Sequence, residues 1–129
     1  MRVASRHLWL CLVFFAIAFV TYGHSISSDF VSWDDIALIV ENQDVKQINA
    51  RTVSHVFSSY DPELYIPITF MSYQIDHAIG GGNPAVFHGT NIAIHALNAL
   101  LVVWLLSLFL GSGWLPIALG LLFLVHPAV

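Results

Sequence analysis

The chain has 129 residues, of which 57% are hydrophobic and 9% charged. A water-soluble domain of that composition has too little polar material to cover its surface, so composition points to a membrane protein. All the acids lie between Asp29 and Asp76, whereas Arg2 and Arg6 stand together before the first apolar run. The formal net charge of −4 excludes a nucleic-acid partner, because no cluster of cations could neutralise a run of phosphates. The one cysteine, Cys11, can form no internal disulfide.

Residues 3–23 are apolar, aromatic or small with few exceptions and give about 30 Å of helix, enough to cross a bilayer. This is the predicted first transmembrane helix. A cleavable signal peptide is the rival reading, with Arg2 and Arg6 as its basic region and Thr21-Tyr22-Gly23 as a weak cleavage site. The basic flank keeps the N-terminus cytoplasmic and sends the acidic segment 24–83 to the exported side.

Within that segment, Ser32 and Asp35 have capping-box spacing, which predicts a helix through Ile36, Ala37, Ile39 and Val40 towards Glu41. Asn49 can cap a second short helix, Ala50 to Phe57, with Val53, Val56 and Phe57 on one side. Ser58-Ser59-Tyr60-Asp61-Pro62 breaks the pattern. From Pro67 to Ile79, Ile68, Met71, Ile75 and Ile79 recur at helical spacing but are interrupted by Thr69, Ser72, Asp76 and His77. These residues predict a helix lying on the membrane surface.

Gly80-Gly81-Gly82 forms a corner, and Asn83-Pro84 supplies an N-cap with proline at the first helical position. Residues 84–110 are the predicted second transmembrane helix. Gly111-Ser112-Gly113 turns the chain, and 114–129 begins a third apolar span that His126-Pro127 ends or kinks. A sequence that stops at Val129 directly after an apolar run is expected to be part of a longer chain. The fold class is thus an all-α membrane protein with a helical exported loop between the first two spans.

Two features can carry chemistry. Asp34 and Asp35 are adjacent, and on a regular helix their directions differ by about 100°, so one is expected to act and the other to support. The plainer reading makes Asp35 an electrostatic stabiliser of a helix start and leaves Asp34 solvated. The second feature is the row His88, Asn91, His95 and Asn98, which shares one face of the second span. Polar groups in a span face protein or a watery cavity, so the row either lines a substrate cavity or joins helices by hydrogen bonds. A metal site from Asp76, His77, His88 and His95 is not expected, because His88 and His95 are two turns apart, about 10 Å.

A family resemblance rests on an ordered series of motifs. They are Phe30-Val31-Ser32-Trp33-Asp34-Asp35, Asn42-Gln43-Asp44-Val45, Tyr65 through Asp76, Gly82-Asn83-Pro84, Phe87-His88-Gly89-Thr90-Asn91, His95 through Leu100, and Leu124-Val125-His126-Pro127. Together they resemble the N-terminal part of the GT-C class membrane glycosyltransferases that often carry tetratricopeptide repeats and are related to protein O-mannosyltransferases.

The resemblance implies an inverting enzyme that moves a sugar from a polyprenyl-phosphate carrier to a hydroxyl of an exported protein or other acceptor. It places catalysis on Asp34 as base with Asp35 in support. Trp33, His88, Asn91 and His95 then line the substrate cavity, and no cofactor is needed beyond the lipid-linked donor. Further spans and repeats are expected beyond the third apolar segment. Family members often carry an arginine or histidine where this chain has Ile66, so no phosphate contact is assigned there. Two other functions fit the residues alone: a non-catalytic membrane assembly module, or a transporter fragment with the His and Asn row along its path.

Overall fold

The computed structural model describes residues 2–60 and 64–126, with side-chain surroundings from His7 onward. Asp61 and Pro62 of the predicted break, and Pro127 to Val129 of the third apolar segment, lie outside them. Five α-helices follow in order: α1 (Arg2–Tyr22), α2 (Ala50–Ser58), α3 (Pro67–Gly80), α4 (Pro84–Leu110) and α5 (Trp114–Val125). A 3-10 turn over Gly23–Ser27 and a π-helical turn over Ile36–Val40 lie between α1 and α2. No strand occurs among the described residues.

The chain forms two compact units, one from residues 1–25 and 89–129 and the other from Ile26–His88. In the first, Phe14 and Ala18 of α1, Ala96, Ala99 and Val103 of α4, and Leu124 of α5 make the core. Small residues let the helix backbones approach closely. A Cβ built on Gly120 would stand 2.2 Å from Val103 Cγ2 and 3.2 Å from the Ala99 carbonyl oxygen, so only glycine fits where α5 crosses α4.

The last carbonyls of a helix have no intrahelical donor. Here the Leu124 carbonyl accepts from Tyr22 Oη at 2.8 Å and from His95 Nε2 at 2.9 Å. Two helices, His7–Ser27 and Pro84–Leu110, are long and apolar enough to cross a membrane. The third apolar helix has 12 residues, about 18 Å, which is short of a full crossing.

The second unit is built around Leu38, Ile39, Val45, Val56, Phe70 and Phe87. Its Asn42–Val45 motif is structural. Asn42 Oδ1 accepts from the Asp44 amide at 2.9 Å, Gln74 Nε2 of α3 donates to the Asp44 carbonyl at 2.9 Å, and Val45 has 0% exposure. The Asp44 carboxylate also meets His55 Nδ1 of α2.

Asn49 caps α2 as its position predicts. Its side-chain oxygen accepts from the Arg51 and Thr52 amides at 3.0 and 3.1 Å, and Thr52 Oγ1 accepts from the Asn49 amide at 3.1 Å. Asn49→Ala should cost about 0.5–2 kcal/mol, read as a lower denaturation midpoint of the full-length protein. The buried positions of α2 are Thr52 and Val56, while Phe57, expected on the same side, is exposed. Thr52 goes inward because its hydroxyl is consumed by the cap and by the Gln47 carbonyl, at 2.8 Å.

In α3, Ile68 and Ile79 are 71% and 72% exposed, and the buried residues are Phe70, Gln74 and Asp76. The helix ends where Gly81 takes φ +62°, and Asn83 Oδ1 accepts from the Ala85 amide at 3.1 Å to start α4.

Candidate functional site

The turn that carries the acid pair is fixed by its own backbone. The Trp33 amide donates to the Val31 carbonyl at 2.8 Å, and the Val31 amide donates to Asp35 Oδ2 at 2.9 Å. The predicted capping box therefore shifts by one residue: the Asp35 carboxylate reaches back to Val31 rather than to Ser32. The helix that follows is also wider than predicted, because the Glu41 amide bonds to the Ile36 carbonyl at 2.9 Å, five residues back.

Asp35 is thus half-buried and committed to the turn, while Asp34 is exposed beside it. The two carboxylates have different surroundings. Trp33, next to them, is 82% exposed.

Phe30 anchors this turn to the rest of the unit. Its ring meets Phe87 edge-on at 5.3 Å between centroids and lies 6.5 Å from the His88 ring. Tyr73 of α3 packs on Phe87 at 5.9 Å and on Phe70 at 6.3 Å. Burial raises the Tyr73 pKa, and the negative charges of Asp35, Asp76 and Asp34 raise it further. Asp76 is 3% exposed, a buried carboxylate on the same helix as Tyr73.

The partial burial of Tyr73 and the burial of Asp76 in this unit were not foreseen from spacing. Their signal was present in the polar residues Gln74 and Asp76 interrupting an otherwise apolar helix, since a polar group placed inside a packed face needs a reason.

The polar row of α4 divides. His88 belongs to the same unit as the acids, and its Nε2 is buried without a hydrogen-bond partner. Asn91 and Asn98 are exposed. His95 joins helices: a carbonyl can only accept, so its Nε2 carries the proton given to Leu124, while Tyr22 and Phe123 flank its ring at 5.4 and 5.5 Å.

Among the described residues no group of three His, Cys, Asp or Glu side chains could hold a metal ion. An apolar groove of about 890 Å³ lies in the first unit between Trp9, Cys11, Leu100, Trp104 and Ile117. Among the described residues no carboxylate lines it, and His7 is the one histidine at its edge, so the paired acids of the turn remain the candidate site.

With that geometry in view, similarity to known proteins is informative. The chain is 32% identical over 126 residues to human protein O-mannosyl-transferase TMTC2, covering 90% of this chain and 15% of that protein. The chain resembles the protein O-mannosyl-transferases. The Drosophila melanogaster protein O-mannosyl-transferase Tmtc2 is 32% identical over 126 residues, 91% of this chain and 13% of its own length. Human protein O-mannosyl-transferase TMTC4 is 30% identical over 116 residues, 81% of this chain and 15% of its own. The chain therefore spans about 15% of the length of these human O-mannosyl-transferases. No protein-family model matches it, and no solved structure matches it.

Proposed function

We propose that this chain is part of an inverting membrane glycosyltransferase that moves mannose from a polyprenyl-phosphate carrier to a hydroxyl of an exported protein. The observation that carries this reading is the acid turn. One carboxylate, Asp35, is tied to the Val31 amide, and its neighbour Asp34 is left exposed, in a chain similar over 90% of its length to a protein O-mannosyl-transferase.

In the proposed step the acceptor hydroxyl oxygen attacks the anomeric carbon from the face opposite the phosphate. The bond from that carbon to the phosphate oxygen breaks with its electron pair, and polyprenyl phosphate leaves. Asp34 takes the hydroxyl proton as the new glycosidic bond forms. Asp35 keeps the turn in shape, and Trp33 and His88, in the same unit, are the proposed substrate contacts.

The membrane is the setting of this chemistry. Helices α1 and α4 are the proposed spans, the basic N-terminus stays cytoplasmic, and the acidic unit faces the exported side. The exposed stripe Ile68, Ile75 and Ile79 supports α3 resting on the bilayer surface near a lipid-linked donor.

A direct assay tests the donor and the reaction together. Membranes containing the full-length protein receive radiolabelled mannose either on a polyprenyl phosphate or on a nucleotide, together with an acceptor protein. Label should reach the acceptor from the lipid-linked donor when nucleotide-dependent synthesis of that lipid is blocked. Transfer from the nucleotide sugar alone under that block would overturn the donor class.

A further inference from the structure

The apolar groove of the first unit takes no part in the proposed transfer. Its walls include Trp9 of α1, Trp104 of α4 and Ile117 of α5. Polar side chains line it near one end: His7 at the start of α1, Ser112 in the turn from α4 to α5, and Ser107, whose hydroxyl donates to the Val103 carbonyl at 2.7 Å. A cleft that is apolar along its length and polar at one end has the character of an amphiphile, a tail with a headgroup.

Two observations choose the occupant. Where the helices of this unit meet one another, small residues make the contact: Ala18, Ala96, Ala99 and Gly120, the last with no room for a Cβ. Small residues are what bring two helix backbones together in a membrane. The groove is walled by two tryptophans and a branched side chain, which leave space for a thin, flexible acyl chain and keep another helix backbone at a distance.

The second observation is charge. The unit, residues 1–25 and 89–129, contains no acid, because all eight acids of the chain lie between Asp29 and Asp76. Its two arginines, Arg2 and Arg6, both precede His7 in the first turns of α1. That end of the unit is complementary to an anionic headgroup. Exposed Trp9, Trp104 and Trp114 are of the type that settles at headgroup depth.

We propose that the groove holds an anionic phospholipid of the cytoplasmic leaflet, with an acyl chain between Trp9 and Trp104 and the headgroup beside His7. This rests on the membrane placement given above, with α1 and α4 as spans and the N-terminus cytoplasmic. The lipid is a structural ligand and not the sugar donor, which is consumed on the exported side.

Cys11 lines the same groove and is exposed, so its thiol can report on the occupant. Delipidated full-length protein in detergent is treated with N-phenylmaleimide, and modification of the Cys11 peptide is followed by mass spectrometry. Phosphatidylserine should slow that modification, reaching half-protection at about a twentyfold lower concentration than phosphatidylcholine. Each of the two arginines is expected to supply about fivefold of that preference. Arg6→Gln should therefore narrow the gap by about fivefold and leave the rate without lipid unchanged.

Equal protection by the two lipids overturns the anionic headgroup, and protection by neither overturns the lipid. A Cys11 thiol that is unreactive before lipid is added means that another span of the full-length protein covers the groove, which also overturns the proposal. Membrane placement is read separately, by protease access to an N-terminal tag in sealed vesicles whose outer face is cytoplasmic. A protected tag puts the N-terminus on the exported side and overturns the assignment to the cytoplasmic leaflet. Mannosyl transfer enters neither measurement, so the catalytic reading stands or falls apart from this one.

Discussion

Asp34→Asn in the full-length protein is expected to reduce mannosyl transfer by about 10²- to 10⁴-fold, the range that a lost general base commands. Asparagine has nearly the same shape but cannot take the acceptor proton. Asp34 is exposed, and the turn is held by Asp35, so the substitution leaves the fold of the turn alone. Abundance and membrane insertion should therefore match the native protein.

The neighbouring position behaves differently. An asparagine at 35 can still accept from the Val31 amide and should be milder than Asp35→Ala, which leaves that amide without its carboxylate partner. Transfer assays beside membrane fractionation check the series. The outcome also separates the competing functions. A non-catalytic assembly module predicts that Asp34→Asn lowers abundance or insertion, and a transporter predicts that it is tolerated while His95 and Asn98 are sensitive.

The second large effect is expected at Gly120, where α5 crosses α4. Gly120→Ala would place a methyl group 2.2 Å from Val103 Cγ2 and 3.2 Å from the Ala99 oxygen. Valine is branched at Cβ and cannot swing away within a helix, and the backbone oxygen cannot move without its helix. Overpacking of this kind costs about 1–3 kcal/mol. A lower melting temperature of the purified full-length protein in detergent is the readout.

Adding Val103→Ala should restore part of the loss, because it removes the nearer of the two obstacles. A double variant no more stable than Gly120→Ala would mean that the Ala99 backbone sets the limit.

What could be read from the sequence was chiefly local. The Asn49 cap, the Asn83-Pro84 start and the Gly111–Gly113 break each depend on a few adjacent residues, and the structure keeps them where the pattern places them. The buried face of α3 was harder. Its most regular apolar stripe, Ile68, Ile75 and Ile79, lies outside, while Phe70, Gln74 and Asp76 go inward. Apolar periodicity identifies a buried face when water is the alternative, and it loses that meaning for a helix proposed to rest on lipid.

The acid pair was visible as a motif, and the reading of Asp35 as the supporting carboxylate beside a solvated Asp34 was too, but the partner that holds Asp35 was not. That partner is the Val31 amide, a contact one residue away from the capping-box rule. The partial burial of Tyr73 was hidden for a related reason, since it comes from tertiary packing on Phe87.

The π-helical turn at Ile36–Val40 acts as a phase shifter. Closing a bond five residues back instead of four fits one more residue into the turn, and one residue is about 100° of helix rotation. Leu38 and Ile39 are pinned in the core, so that rotation must be absorbed on the upstream side, where Asp34 and Asp35 stand. The bearing of the acid pair around the helix axis is thus set by a single surplus residue. A lineage that gained or lost that residue would turn its acid pair to a new direction without altering any side chain of the motif.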